Sequence, residues 1–211
     1  MADVHDRVSR SRAVIAHEGW IWLAGTVLVA AVAARLGYLG VTAAMSGLTV
    51  FLFLLFRDPA RVVPPLPDAI YAPLDGRVVG VEKVSGGNLD SGWWRVRVKA
   101  SRLGAYTIRA PIEGTIEEIG EGAVSGALLA GLSLLSEEGD RVMLAFPGRG
   151  PLRSPKAFVR YGERLGQGER FAYLRLAPVA EIYVPDSSRL KVSDHEFIRA
   201  GDTVIAELIS G

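Results

Sequence analysis

A polar stretch runs from Val4 to Arg12, and then the pattern changes abruptly: between Trp20 and Phe56 the only charged residue is Arg35. A helix needs about 20 residues to cross the hydrocarbon core of a bilayer, so this stretch is too long for one span and enough for two short ones. The run Arg35-Leu36-Gly37-Tyr38-Leu39-Gly40 supplies the break, with two glycines for a turn and an arginine able to reach the interface. Small residues recur four apart, Ala30 with Ala34, Gly40 with Ala44 and Ala43 with Gly47, a spacing that lets two helix backbones approach closely. Trp20, Trp22 and Tyr38 fall where aromatic rings favour the membrane–water interfaces. A buried hairpin in a soluble protein is the alternative, but so small a domain cannot cover so long an apolar stretch.

After Phe56 the periodicity shortens. Pro59, Pro64, Pro65 and Pro67 make a stiff, extended linker. Past Ile70 come short alternating runs punctuated by glycine, the pattern of β-structure. Strands are expected over Val78–Val84, Trp93–Lys99, Thr115–Ile119, Arg141–Phe146, Phe171–Leu176, Ile182–Pro185 and Thr203–Ile209, with a weak helical pattern over Val124–Leu135. Ala72-Pro73-Leu74-Asp75-Gly76-Arg77-Val78, Ala110-Pro111-Ile112-Glu113-Gly114-Thr115-Ile116 and Ile198-Arg199-Ala200-Gly201-Asp202-Thr203-Val204 echo one another, each a turn before a strand. In such turns proline fixes one dihedral and glycine supplies a positive φ. The same echo occurs in barrel-sandwich folds. The expected class is therefore mainly β: a transmembrane helical hairpin followed by a barrel-sandwich-like domain. The expected divisions are a basic cytoplasmic segment (1–17), the hairpin (18–56), a proline-rich linker (57–69) and the β domain (70–211).

Composition sharpens this in few places. The 211 residues are 49% hydrophobic with a net charge of +1 and no cysteine. That balance gives no bulk attraction to nucleic acid and excludes disulfides and thiolate chemistry. Arg7, Arg10 and Arg12 precede the apolar stretch, and Arg57 and Arg61 follow it, so both ends of the hairpin and the β domain are expected on the cytoplasmic side of a bacterial inner membrane. His5, His17 and His195 are scattered, and no spacing of His, Asp and Glu resembles a metal site.

The segment Gly168-Glu169-Arg170-Phe171-Ala172-Tyr173-Leu174-Arg175-Leu176-Ala177-Pro178-Val179-Ala180-Glu181-Ile182-Tyr183-Val184-Pro185 resembles G-E-R-F-G-L-I-R-F-G-S-R-V-D-V-Y-L-P of the short bacterial phosphatidylserine decarboxylases. Further matches follow in order along nearly the whole chain. Ala16-His17-Glu18-Gly19-Trp20 is similar to the family's A-P-E-G-W, Phe56-Arg57-Asp58-Pro59-Ala60-Arg61 to F-R-D-P-x-R, and Tyr71-Ala72-Pro73-Leu74-Asp75-Gly76 to V-S-P-A-D-G. Ile108-Arg109-Ala110-Pro111 is similar to N-R-A-P and Ser136-Glu137-Glu138-Gly139-Asp140-Arg141 to S-E-E-N-E-R.

The resemblance implies a serine that cleaves its own chain to leave a pyruvoyl group, helped by an aspartate and a histidine. At the matching positions this chain has Pro178, Asp75 and Tyr106. Proline has no hydroxyl to attack the preceding carbonyl. A tyrosine with a pKa near 10 is a poor base at neutral pH. Asp75 before Gly76 also reads simply as a turn aspartate. Ser187 and Ser188 lie nearby, but in the turn sequence Pro185-Asp186-Ser187-Ser188 after a strand. The chain is therefore expected to be a non-catalytic protein of decarboxylase type, without catalytic residues, pyruvoyl group or metal. In that reading it is a structural or accessory subunit of an inner-membrane complex. The expected partners are membrane lipids and integral membrane proteins. Candidate contacts are Trp20, Trp22, Ala30, Ala34, Gly40, Ala44, Trp93 and Trp94, the last two equally readable as core. The alternatives are an active decarboxylase with relocated chemistry, making phosphatidylethanolamine, and a phospholipid-binding protein.

Overall fold

The computed structural model describes residues 15–61, 63–64, 66–86, 89–101, 104–124, 127–147, 155–174 and 178–209. Arg7, Arg10, Arg12, Pro65 and Ala177 lie outside them. The chain divides into a helical unit, up to Ala60 together with 102–106, and a β unit of Arg61–Ser101 and Thr107–Gly211.

In the helical unit, α1 (His17–Arg35) and α2 (Leu39–Leu55) stand where the apolar stretch predicts them. Glu18 in the first turn and Arg35 in the last complement the α1 dipole. Gly37 turns the chain at a φ of 77°, which a glycine adopts without steric cost. By length and composition α1 is long and apolar enough to cross a membrane, whereas α2 is apolar but only 17 residues long.

Leu23, Thr26, Ala30 and Ala33 on α1 are buried or half-buried, as are Thr42, Met45, Thr49 and Leu52 on α2. These positions alternate three and four apart, the seam of an antiparallel pair. Thr49 Oγ and Thr26 Oγ lie 2.9 Å apart across the seam, and each lies within hydrogen-bond distance of a carbonyl one turn back, leaving one hydroxyl to donate to the other. Those bonds satisfy hydroxyls that would otherwise lie unpaired among apolar side chains. The small-residue stripe does not make this seam: Ala34, Gly40 and Ala44 are exposed, and only Ala30 belongs to it. At the open end Ile15 pairs with Arg57 in an antiparallel bridge, and the Ala16 amide donates to the Phe56 carbonyl at 3.0 Å.

The β unit holds β1 (Ala69–Tyr71), β2 (Gly76–Gly86), β3 (Leu89–Ala100), β4 (Thr107–Arg109), β5 (Gly114–Val124), β6 (Ala127–Leu135) and β7 (Arg141–Phe146). These are followed by β8 (Lys156–Ala157), β9 (Arg164–Leu165), β10 (Arg170–Tyr173), β11 (Val179–Pro185), β12 (Arg189–Leu190), β13 (Phe197–Ile198) and β14 (Val204–Glu207). One sheet of eight strands runs β13-β2-β3-β11-β7-β6-β5-β9, beside sheets ordered β1-β14-β12 and β4-β10-β8. Val78, Val96, Val98, Leu134, Leu144, Ile182 and Val184 point into the main core.

The weak helical pattern over Val124–Leu135 is overturned: β6 pairs with β5 on one side and β7 on the other. Leu132, Ser133 and Leu134 are all buried, so both faces of this strand are covered and the apolar alternation that marks a strand disappears. The glycines of the two Pro-x-acid-Gly turns also differ from expectation. Gly201 has a positive φ of 68°, but Gly76 and Gly114 do not. Their constraint is proximity. A Cβ on Gly76 would lie 2.4 Å from the Lys99 carbonyl oxygen, and one on Gly114 2.4 Å from that of Leu135.

Candidate functional site

The long β2–β3 hairpin brings two of the three matched positions to one place. Gly76 pairs with Ala100 at the end of β3, and the Ser101 amide donates to the Asp75 carbonyl at 2.8 Å. On the other side of β3, the Ala100 amide donates to the Pro178 carbonyl at 3.0 Å, just before β11 begins. Asp75 and Pro178 thus flank the end of β3.

Asp75 is 6% exposed, and its carboxylate is fully engaged. Arg61 Nη1 and Nη2 donate to Oδ1 and Oδ2 at 2.6 and 2.7 Å, a bidentate fork. The Ala200 amide donates to Oδ1 at 2.8 Å, while Arg61 Nη1 also reaches the Ala200 carbonyl at 2.7 Å. Sequence reasoning used Arg61 only as an orienting charge. Its place in Phe56-Arg57-Asp58-Pro59-Ala60-Arg61 was the available signal, but its partners Asp75 and Ala200 lie 14 and 139 positions away.

Tyr106 belongs to the helical unit. Its ring meets Phe56 edge-on, with centroids 4.8 Å apart at 63°. Its hydroxyl donates to Glu18 Oε2 at 3.4 Å and its amide to the Arg57 carbonyl at 3.2 Å.

Pro178 is exposed. With neither hydroxyl nor backbone N–H, it does not fit a pyruvoyl group formed at this position. Ser188 is buried with its hydroxyl unpartnered in the turn between β11 and β12, and Ser187 beside it is exposed. Two further residues that the sequence left without a role are Arg109 and Arg170, both buried and paired in register between β4 and β10. Arg109 Nη1 donates to the Gly168 carbonyl at 3.1 Å, where Gly168 turns with a φ of 75°. Among the described residues no group of three or more His, Asp or Glu side chains could hold a metal ion.

The other expected contacts are distributed widely. Trp20 and Trp22 are exposed on the first turns of α1. Trp93 is 7% exposed and packs with Ala145 and Tyr183, so its ring is used inside the domain and offers no docking surface. Trp94 is half-buried against the main core, with Lys83 Nζ 5.4 Å from its ring centroid. Apart from Asp75 and Pro178, a groove of about 230 Å³ is lined by Leu66, Ile112, Glu113, Glu137, Arg164 and Leu208. There Arg164 spans Glu113 at 2.7 Å and Glu137 at 2.5 Å.

No protein-family model matches the chain. Among solved structures it is similar to the glucose permease IIA from Mycoplasma capricolum, at 14% identity over 65% of this chain and 93% of that one, with a TM-score of 0.44. That likeness is too slight to carry an argument. Curated relatives are far more informative. The chain is 32% identical over 206 residues to the phosphatidylserine decarboxylase proenzyme of Ralstonia nicotianae, covering 92% of this chain and 96% of the relative. It is 30% identical over 207 residues to the proenzyme of that name from Burkholderia mallei, covering 92% and 95%. Relatives so named are enzymes, and they overturn the expectation of a non-catalytic accessory subunit that the substitutions at Tyr106 and Pro178 had encouraged. The chain belongs to the phosphatidylserine decarboxylase family.

Proposed function

We propose that this chain is a membrane-anchored phosphatidylserine decarboxylase that converts phosphatidylserine to phosphatidylethanolamine, with its reactive group formed at a residue other than Pro178. The observation that carries this reading is the 32% identity over 206 residues to a phosphatidylserine decarboxylase proenzyme. The match is not confined to a packed core, since it takes in 92% of the chain, hairpin and β unit together. Proline cannot be the source of a pyruvoyl group, so a cleaving serine has to lie elsewhere. Ser101 is the first to test, because its own amide bonds the Asp75 carbonyl and Ala100 before it bonds Pro178. Ser188, buried with its hydroxyl unpartnered, is the second.

The β unit is read as barrel-sandwich-like on the strength of its echoed turns before β2, β5 and β14. The proposed location is a bacterial inner membrane with the β unit on the cytoplasmic side, a reading supported by the arginines at both ends of the apolar stretch. Its proposed partners are membrane lipids.

The test is to purify the full-length chain in detergent, resolve it under denaturing conditions, weigh each species, and supply phosphatidylserine in mixed micelles. Phosphatidylethanolamine formation together with two fragments supports the reading, and the fragment masses identify the cleaved serine. A chain that stays at full mass and forms no phosphatidylethanolamine overturns it. Phosphatidylserine retained unconverted by that intact chain would point to phospholipid binding instead.

A further inference from the structure

Asp75 and Tyr106 are the two positions that the family pattern gives to helpers of self-processing, and in this chain each is committed to other contacts at a place where the chain passes between units. The helical unit ends at Ala60 and the β unit begins at Arg61, so the residue that grips Asp75 is the first of the β unit. The segment 102–106 leaves the β strands to join the helical unit, and Tyr106 is its last residue before β4. We propose that Asp75 and Tyr106 act as fastenings of these two crossings, Asp75 holding the chain where it enters the β unit and Tyr106 holding the returning loop against the base of the hairpin.

The chemistry of each contact fits this role. A guanidinium presents two parallel N–H groups in a fixed plane, which a carboxylate accepts pairwise and a flexible ammonium does not. Arg61 and Asp75 form that pair with side chains only 17% and 8% exposed, so water competes weakly for it. The Ala200 amide and carbonyl close the arrangement into a ring of three segments: the linker, the turn before β2 and the turn before β14. Tyr106 is matched to its surroundings at both ends, its ring edge on Phe56 at the end of α2 and its hydroxyl on Glu18 in the first turn of α1.

The inference goes beyond the decarboxylase reading and is tested without reference to turnover. Hydrogen exchange of the full-length protein in detergent micelles is read by mass spectrometry for wild type, Asp75→Asn, Arg61→Lys, Tyr106→Ala and Tyr106→Phe. Asp75→Asn and Arg61→Lys should each accelerate exchange about tenfold at the Ala200 amide and in the linker up to Asp68, leaving β3 and β11 protected. Tyr106→Ala should accelerate exchange about tenfold over 104–107, whereas Tyr106→Phe, which keeps the ring contact and loses only the long hydroxyl contact with Glu18, should accelerate it less. Unchanged exchange at Ala200 in the first pair, or in the loop of Tyr106→Ala, overturns the proposal. A uniform loss of protection across the core strands overturns it too, because it would assign these residues to global stability. Should Asp75→Asn fail to fold, Arg61→Lys, which keeps the charge, decides the first fastening alone.

Discussion

Burial pushes the Tyr183 phenol up to about 12, reinforced by the Glu181 carboxylate that accepts its hydroxyl at 2.8 Å and opposed by Arg95. The folded state therefore favours the protonated phenol more than the unfolded chain does. The resulting stability is fully present below pH 10 and is lost as the pH rises from about 10 towards 12, where unfolding releases a proton. The loss over that window should be about 2 kcal/mol, measured by denaturant unfolding at stepped pH. Tyr183→Phe should flatten the window and cost about 1 kcal/mol at neutral pH through the lost hydrogen bond; an alkaline transition as steep as wild type would refute the assignment. A second prediction separates two glycines of one strand. Gly76→Ala drives a methyl onto the Lys99 carbonyl and should cost about 3 kcal/mol, whereas Gly80→Ala, with nothing within 4 Å, should be close to neutral in the same melts. At this scale the chain hides its most consequential contacts. Asp75 was legible as a turn aspartate, but its grip by Arg61 and Ala200 was not, because no local pattern encodes a partner 125 positions distant.

Among the elements, the two helices and β7 were legible, the helices from an apolar run broken only at Arg35 and the strand from its alternating apolar positions. The strand β6 was not, since burial on both sides erases the period that separates strand from helix. The α1 face that meets α2 could not be read from the small-residue spacing, because the seam is made by Leu23, Thr26, Ala30 and Ala33, of which only Ala30 belongs to that stripe. The hairpin makes its own prediction. A Cβ on Gly19 would lie 2.6 Å from Phe56, while one on Gly25 meets nothing within 4 Å. Gly19→Ala should open the base of the hairpin, seen as faster protease cleavage near Phe56 in micelles. Gly25→Ala should stabilise slightly, by about 0.5–1 kcal/mol, through helix propensity. Equal behaviour of the two variants would contradict the seam described above.

For the whole molecule, the division into an apolar hairpin and a β-rich remainder could be read from patterning alone. The grouping of Tyr106 with the helical unit could not, because its contacts with Phe56 and Arg57 join positions some fifty residues apart in the sequence. Family membership was legible from matched segments in order, while the functional conclusion drawn from Pro178 and Tyr106 was too strong: two substituted positions outweighed a likeness that extends over 92% of the chain. The anchored reading predicts that the protein stays with the membrane pellet through high salt and alkaline carbonate. Release into the supernatant would sink it.

The backbone bridge between Ile15 and Arg57 closes the two ends of the hairpin on each other. Residue 15, where the described chain enters the hairpin, thus lies beside residue 57, where it leaves. In the anchored reading proposed above, the two helices enter the bilayer as a single loop with both ends on one side. Compartment-specific reporters fused ahead of the hairpin and behind residue 211 should accordingly become active in one and the same compartment, and opposite responses would break the closed loop.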